Sequence, residues 1–338
     1  MHNNLTLFLF CLSLVGCSGQ TTLEEKMESY AERIARVTKS ETHLPSPNLA
    51  LGFPNASKRK INIPSTSLNL REFYAIKGCP LATLVAQRNT TLGKVEAPEL
   101  RYAYERQLLQ TLAQCSELIK ADNIDLNNEL KRLQTIKTTN LPLTFADMLQ
   151  NSRAMITGLS FASDFIGTEQ TTTEITQSIA AIHYLASISN MDKAEVVDIS
   201  EMNTHLQILE QRQVWARIWR SQQYLIQVLP SITKVLDSYS KGVNCRVAKT
   251  NLDILRNVML MFFIDYIQPL ASTILRAHEQ SSSAWLKLLD EPALHPNMKA
   301  FILAHTQTHH AEFKKIITAH VTTWQELFSL CSMSPTGR

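Results

Sequence analysis

The chain has 338 residues, and its 33 basic and 30 acidic residues leave a formal net charge of only +3 at pH 7. This near balance argues against a strongly basic surface of the kind that binds nucleic acid. Glycine is scarce, with 9 residues in all, whereas turn-rich β folds and phosphate-binding loops depend on glycine. The composition therefore favours a helical protein without a nucleic-acid partner.

The N-terminal segment is short and apolar and ends in a cysteine motif. Residues 5–14 are mostly apolar, and the sequence at 14–17 is Leu-Val-Gly-Cys. About ten apolar residues suit a signal peptide but are too few to cross a bilayer. The motif resembles the lipobox of bacterial lipoproteins. This resemblance implies a signal peptide over 1–16, cleavage between Gly16 and Cys17, and lipidation of Cys17 with acyl chains such as palmitate. An ordinary secretory signal with a chance cysteine is the alternative.

Lipidation would place the protein in the bacterial envelope. By resemblance to lipoprotein sorting in enteric bacteria, Ser18 after the cysteine implies an outer-membrane anchor with the domain facing the periplasm. Each buried CH₂ group of the acyl chains contributes ~0.8 kcal/mol, so three chains would anchor the protein stably. The apolar run at 258–264 is too short to span a membrane and is predicted to be a turn of a core helix.

The cysteine count predicts disulfides. Removal of Cys11 with the signal and acylation of Cys17 would leave an even number of cysteines, which in an oxidising compartment suggests two bridges. The remaining residues are Cys79, Cys115, Cys245 and Cys331. Three pairings are possible, and we favour Cys79–Cys115 with Cys245–Cys331, because each then closes one half of the chain. Four buried free thiols are the alternative.

Helical periodicity dominates the chain. Residues 17–66 are expected to hold the anchor, a short amphipathic helix over 21–38 and a proline-rich segment, which is either a free tether or packed on the domain. Residues 67–332 are expected to form a helical domain, divisible into sub-bundles 67–167 and 168–332. The longer predicted helices span 99–121, 125–137, 144–165, 171–190, 201–238 with a bend at Pro230, 243–267, 269–289 and 296–331. Long helices with short connections predict an all-α, antiparallel multi-helix bundle stapled by two disulfides.

One block of sequence carries a family resemblance. The sequence at 79–94 is Cys-Pro-Leu-Ala-Thr-Leu-Val-Ala-Gln-Arg-Asn-Thr-Thr-Leu-Gly-Lys, and Pro98, Arg101, Tyr104-Glu105 and Cys115 follow it. Together these residues resemble a family of uncharacterised proteobacterial lipoproteins. Its members share a lipobox, a proline-rich segment and an Arg-Asn-Ser/Thr-x-Leu-Gly block between two cysteines. The resemblance supports the lipoprotein interpretation and the Cys79–Cys115 pairing, and it implies no known activity.

The same block supplies the first candidate site. Arg88, Asn89 and Lys94, together with Arg101 and Glu105 from the next helix, would form a polar patch able to bind a phosphate or carboxylate. The structural alternative is a glycine cap after the first helix and a salt bridge between Arg88 and Glu105.

A histidine pair supplies the second candidate. His305 and His309 are four residues apart on one helix, the spacing that zinc sites on helices use. A third ligand would have to come from Asp265, His183 or His278. A partly buried acid at Asp265 could also act as a base. Because both histidines lie on the apolar seam of their helix, buried hydrogen-bonded histidines are the favoured interpretation, and no metal or other cofactor is predicted.

Two tryptophans supply the third candidate. Trp215 and Trp219 share a helix face, with Arg212, Arg217 and Arg220 interleaved. Stacked tryptophans with arginines could recognise a glycan or a membrane surface. The apolar seam that continues along this helix favours ordinary core packing.

No catalytic motif is present, since a Gly-x-Ser-x-Gly elbow, a Walker loop and a dinucleotide fingerprint are all absent from the sequence. We therefore predict a non-enzymatic interaction or assembly factor for envelope proteins or peptidoglycan machinery. Two alternatives stay open. One is a helical periplasmic enzyme, with or without a metal, acting on lipid or cell-wall material through His305, His309 and Asp265. The other is a binding module for an apolar ligand between the helices.

Overall fold

The computed structural model describes residues 22–89, 97–119, 123–167, 172–189 and 195–334. The expected signal peptide, Cys17 and Lys94 lie outside these ranges. The structure is 78% helical, and no strand occurs among the described residues, which confirms the all-α prediction.

The helices are numbered here in chain order. They are α1 (Leu23–Thr38), α2 (Leu70–Ala75), α3 (Pro80–Arg88), α4 (Pro98–Ile119), α5 (Ile124–Asn151), α6 (Arg153–Ser160), α7 (Thr172–Ser189), α8 (Ile199–Arg212), α9 (Val214–Gly242), α10 (Lys249–Leu289) and α11 (Pro296–Leu303, Ala304–Thr308 and His309–Leu330). A 3₁₀ turn covers Ala56–Arg59, and π-helical turns cover Met259–Ile267 within α10 and Ala304–Thr308 within α11.

Several predicted helix boundaries are wrong. The predicted helix 144–165 is divided at Ser152, which caps α6, and α6 ends at Ser160. Helix α5 runs through Pro142 without a break, because the residues on both sides of it pack along α4. Helix α10 continues through Pro269, directly after a π-helical stretch whose wider turn relieves the clash that a proline ring makes in an α-helix. The predicted helix 201–238 is instead divided between α8 and α9 at Gln213, whose φ of 49° is left-handed.

Buried side chains form two hydrophobic clusters. The smaller cluster lies where α3 and the adjoining parts of α4 and α5 meet, and it includes Leu81, Leu112 and Leu130. The main cluster contains buried side chains from most of the remaining helices, including the buried face of α1 and the second half of α5. The division between the clusters therefore falls inside the α4–α5 hairpin, and these two helices connect both cores.

The proline-rich segment packs on the domain, which answers the question that the sequence left open. Leu49 and Phe53 contact the main cluster, and the backbone oxygen of Leu51 lies 2.8 Å from Nε2 of His305. The guanidinium of Arg59 donates hydrogen bonds to the Gln150 carbonyl at 2.6 Å and to Pro54 at 3.0 Å. The segment is thus held against α5 and α11 rather than extending as a free tether.

Both predicted disulfides are present. Cys79–Cys115 links the start of α3 to α4, and Cys245–Cys331 links the α9–α10 connection to the end of α11. Loop-closure entropy for separations of 36 and 86 residues gives each bridge roughly 4 kcal/mol of stabilisation.

Helix α10 is the longest helix, and by length and composition alone it could cross a membrane. Its apolar run also packs into the protein: Met259, Phe262 and Phe263 are buried in the main cluster, whereas Met261 is 53% exposed. The run therefore contributes a core face, as the sequence predicted for 258–264.

Candidate functional site

A cavity of about 810 Å³ lies between the end of the proline-rich segment and helices α2, α3, α4 and α5. This volume falls in the range of small-molecule sites, about 300–1,000 Å³. Short-range sequence signals start two of the helices that line the cavity. Asn69 and Glu72 form a capping box that starts α2, and Pro80 starts α3 directly after the disulfide-bonded Cys79.

The cavity has an apolar floor and a polar rim. Leu81, Leu108, Leu112 and Leu133 are at most 6% exposed, belong to the smaller cluster and line the floor. The charged residues that line the cavity are Arg88, Arg101, Glu105 and Lys137. Three cations thus face one carboxylate above an apolar surface.

The structure brings together four of the five residues of the predicted polar patch. Arg88, Asn89, Arg101 and Glu105 all line the cavity, and the fifth, Lys94, lies outside the described residues. Their convergence follows from topology, because α3 and α4 are consecutive and are joined by a disulfide.

Sequence reasoning missed the partner of Glu105. Oε1 of Glu105 lies 2.8 Å from Nζ of Lys137, and the two side chains are only 6% and 12% exposed. The signal was available, since Lys137 continues the inward face of Leu130 and Leu133 at helical spacing. The guanidinium of Arg88 lies 5.5 Å from the centroid of the Tyr104 ring, in cation–π geometry.

Arg101 is the unsatisfied group of the cavity. Its Nε is buried and has no hydrogen-bond partner among the described residues. An arginine stays charged at any physiological pH and presents its donors as a planar fork that fits a carboxylate or phosphate. Arg101 as a whole is half-buried and lines the cavity, so the exposed part of its side chain is available to a bound anion.

The histidine pair lies in an aromatic core. The His305 ring stacks on Trp219 at 4.7 Å between centroids and meets His309 at 5.0 Å, while His278 and His310 are 4.3 Å apart. Burial lowers the pKa of His278 to about 3 and that of His305 to about 4, so both are neutral at pH 7.

These histidines are bound by the protein's own groups. Nε2 of His278 lies 3.0 Å from Oε1 of Gln222, and His305 bonds the Leu51 carbonyl. Within the part of the chain that the structure describes, no group of three or more potential ligands is arranged to hold a metal ion. The hydrogen bond to Leu51 supports the structural interpretation of His305, whereas the Nδ1 atoms of His305, His309 and His310 have no hydrogen-bond partner among the described residues.

Two other candidate ligands lie elsewhere. Asp265 is exposed, so the expectation of a partly buried acid is wrong: the π-helical turn places it on the outer side of α10, next to the exposed Ile264. His183 bonds the Gln280 carbonyl at 2.8 Å near the surface.

The tryptophans are core residues, as the apolar seam of their helix indicated. Trp215 and Trp219 are fully buried and both contact Trp285, at centroid distances of 5.4 and 5.7 Å. The interleaved Arg212 forms an ion pair with Glu174 at 2.9 Å. A glycan-stacking surface at this place is excluded, because the rings have no exposed face.

A second buried network joins the ends of the chain. His320, with 0% exposure, lies 2.8 Å from the Tyr30 hydroxyl and 2.8 Å from the Thr233 hydroxyl, and Nε1 of Trp324 donates to Tyr30. Burial lowers the pKa of His320 to about 3 and raises that of Tyr30. The network positions α1 against α9 and α11 and has no access to solvent through His320.

Comparison with known proteins adds a family and no activity. A family model described as a protein of unknown function, DUF3080, matches residues 27–335. No curated protein and no solved structure matches the chain. The match covers nearly all described helices, from α1 to α11. The chain therefore belongs to the DUF3080 family.

Proposed function

We propose that this protein is a lipid-anchored binding protein that faces the periplasm from the outer membrane, and that it acts without catalysis through the cavity between α2, α3, α4 and α5. The observation that carries the binding role is the cavity itself: about 810 Å³, with an apolar floor of buried leucines and a few convergent charged groups. The resemblance of 14–17 to a lipobox supports the anchor.

The same region favours the interaction or assembly factor as a second candidate. Leu70 is 70% exposed and Tyr74 is 54% exposed, and both lie on α2, where Leu70 also lines the cavity. Large exposed apolar side chains beside a cavity are typical of a surface that a partner covers. An envelope protein docked on α2 would then control access to the cavity.

The anchor is tested by metabolic labelling with an alkyne analogue of palmitate. We expect the wild-type chain to be labelled and Cys17→Ser to be unlabelled and uncleaved. Equal labelling of the two proteins would remove the lipobox interpretation and with it the proposed location.

Binding is tested on the full chain in phospholipid vesicles with a neutral photoreactive hydrocarbon probe and peptide mapping. We expect labels on cavity peptides of wild type, and their loss in Val85→Trp, which fills the cavity from half-buried Val85 on α3. The matched control is Val247→Trp, at a residue that is 83% exposed. Equal cavity labelling in all three proteins, or none in wild type, would contradict the binding role.

A further inference from the structure

Three cations line the cavity, but two of them already have partners. Lys137 pairs with Glu105 at 2.8 Å, which makes that couple neutral. The guanidinium of Arg88 lies over the Tyr104 ring. A cation–π contact leaves the charge of Arg88 in place, and no ion pair joins Arg101 to a carboxylate among the described residues. The cavity is therefore positively charged around Arg101 and can accept an anionic group.

The position of that group is defined by what surrounds it. Glu105 also lines the cavity, but Lys137 already neutralises its charge. An anionic group at Arg101 would be held by charge-assisted hydrogen bonds from the guanidinium and would leave the Glu105–Lys137 pair intact.

Part of the cavity is suited to hydrocarbon. Leu68, Phe73 and Val85 are half-buried and line the cavity, so they present apolar surface to a ligand, together with the small exposed parts of Leu108 and Leu133. These groups offer no directional contact, which fits a flexible alkyl chain better than a polar ring or a peptide backbone.

We infer that the cavity binds a single-chain amphiphile with an anionic head, whose alkyl chain lies against the apolar side chains of the cavity and whose anionic group is held by Arg101. This inference rests on the proposed binding function and names its ligand class. A long-chain fatty acid and a lysophospholipid with a phosphodiester head share this chemistry.

The test compares two photoreactive probes on the full chain in phospholipid vesicles: a sixteen-carbon fatty acid and the fatty alcohol of the same chain length. We expect the acid to label cavity peptides at a concentration about tenfold lower than the alcohol, since one charge-assisted contact is worth about a factor of ten. Arg101→Gln should remove this preference and leave labelling by the alcohol unchanged. Arg276→Gln, at an exposed arginine on α10, is the matched control and should behave as wild type.

The outcomes separate the two proposals. If neither probe gives labelling that Val85→Trp abolishes, the binding function itself fails. If both probes label equally in wild type, or if Arg101→Gln keeps the preference for the acid, the cavity binds an apolar ligand and the anionic head is refuted. The wild-type comparison decides this point even if Arg101→Gln does not fold. Competition with unlabelled palmitate and with lysophosphatidylglycerol then identifies the source of the head group, and failure of both to compete better than hexadecanol overturns the inference.

Discussion

The ion pair between Glu105 and Lys137 is the part of the cavity whose energetic role can be measured most directly. The charged atoms are 2.8 Å apart, and the side chains are 6% and 12% exposed. Removing one partner of such a buried pair leaves the other charge uncompensated, which costs about 3–5 kcal/mol. We expect Glu105→Leu and Lys137→Met each to lower the free energy of unfolding by about 3 kcal/mol. This is the lower end of that range, because the pair borders a cavity and the remaining charge can be partly hydrated.

The double variant decides whether this reasoning holds. Replacing both partners with apolar residues removes the unpaired charge, so Glu105→Leu with Lys137→Met should cost less than either single change. Urea unfolding followed by circular dichroism measures all three values. The control is Lys241→Met, which breaks an exposed pair with Asp237 and should cost at most about 1 kcal/mol. Additive losses in the double variant, or single losses as small as the control's, would refute a desolvated pair.

Two further predictions concern packing and pH. A Cβ at Gly158 would lie 2.7 Å from the backbone oxygen of Leu209. Gly158→Ala should therefore push α6 away from α8 and lower the free energy of unfolding by about 1–3 kcal/mol. The control is Gly242→Ala, which has open space around the new Cβ and should lower it far less. Equal urea midpoints for the two variants would contradict the close approach. Because burial lowers the pKa of His320 from 6.5 to about 3, the unfolded chain binds a proton below pH 6.5 that the folded chain does not. This one group should reduce stability by about 1.4 kcal/mol for each pH unit as pH falls from 6.5 towards 3. His320→Gln should make the slope shallower by one proton, and an unchanged slope between pH 6 and 4 would show that His320 titrates normally.

Local patterns predicted the helices better than their ends. Separate helices were predicted on either side of residues 138–143 and of residue 268, yet both helices continue through Pro142 and Pro269, because packing against neighbours and a π-helical turn offset the missing hydrogen bond. The break at Gln213 was missed for the opposite reason. Neither glycine nor proline marks it, and on either side of the left-handed Gln213 the helices pack mainly on different neighbours, α8 on α6 and α7 and α9 on α1 and α11.

For the candidate sites, too, local patterns predicted some features and missed others. Arg88, Arg101 and Glu105 were expected to converge because they lie on consecutive helices around one disulfide, and they do line one cavity. The inward face of α5 could have pointed to Lys137, but its pairing with Glu105 across 32 residues could not be derived from local spacing. Asp265 was misplaced because an apolar run does not say which of its neighbours a π-helical turn rotates towards solvent.

The sequence by itself determined the helical class, the set of four cysteines available for two disulfides and the polar block before α4, because each follows from composition, cysteine count or short-range spacing. Only the tertiary structure decided which of the three possible disulfide pairings forms, that the proline-rich segment packs on α5 and α11, that Glu105 pairs with Lys137, and that Nε of Arg101 is buried without a hydrogen-bond partner among the described residues. Those features depend on contacts between residues far apart in the chain, and the free energy of such contacts is set by burial, which no local pattern encodes.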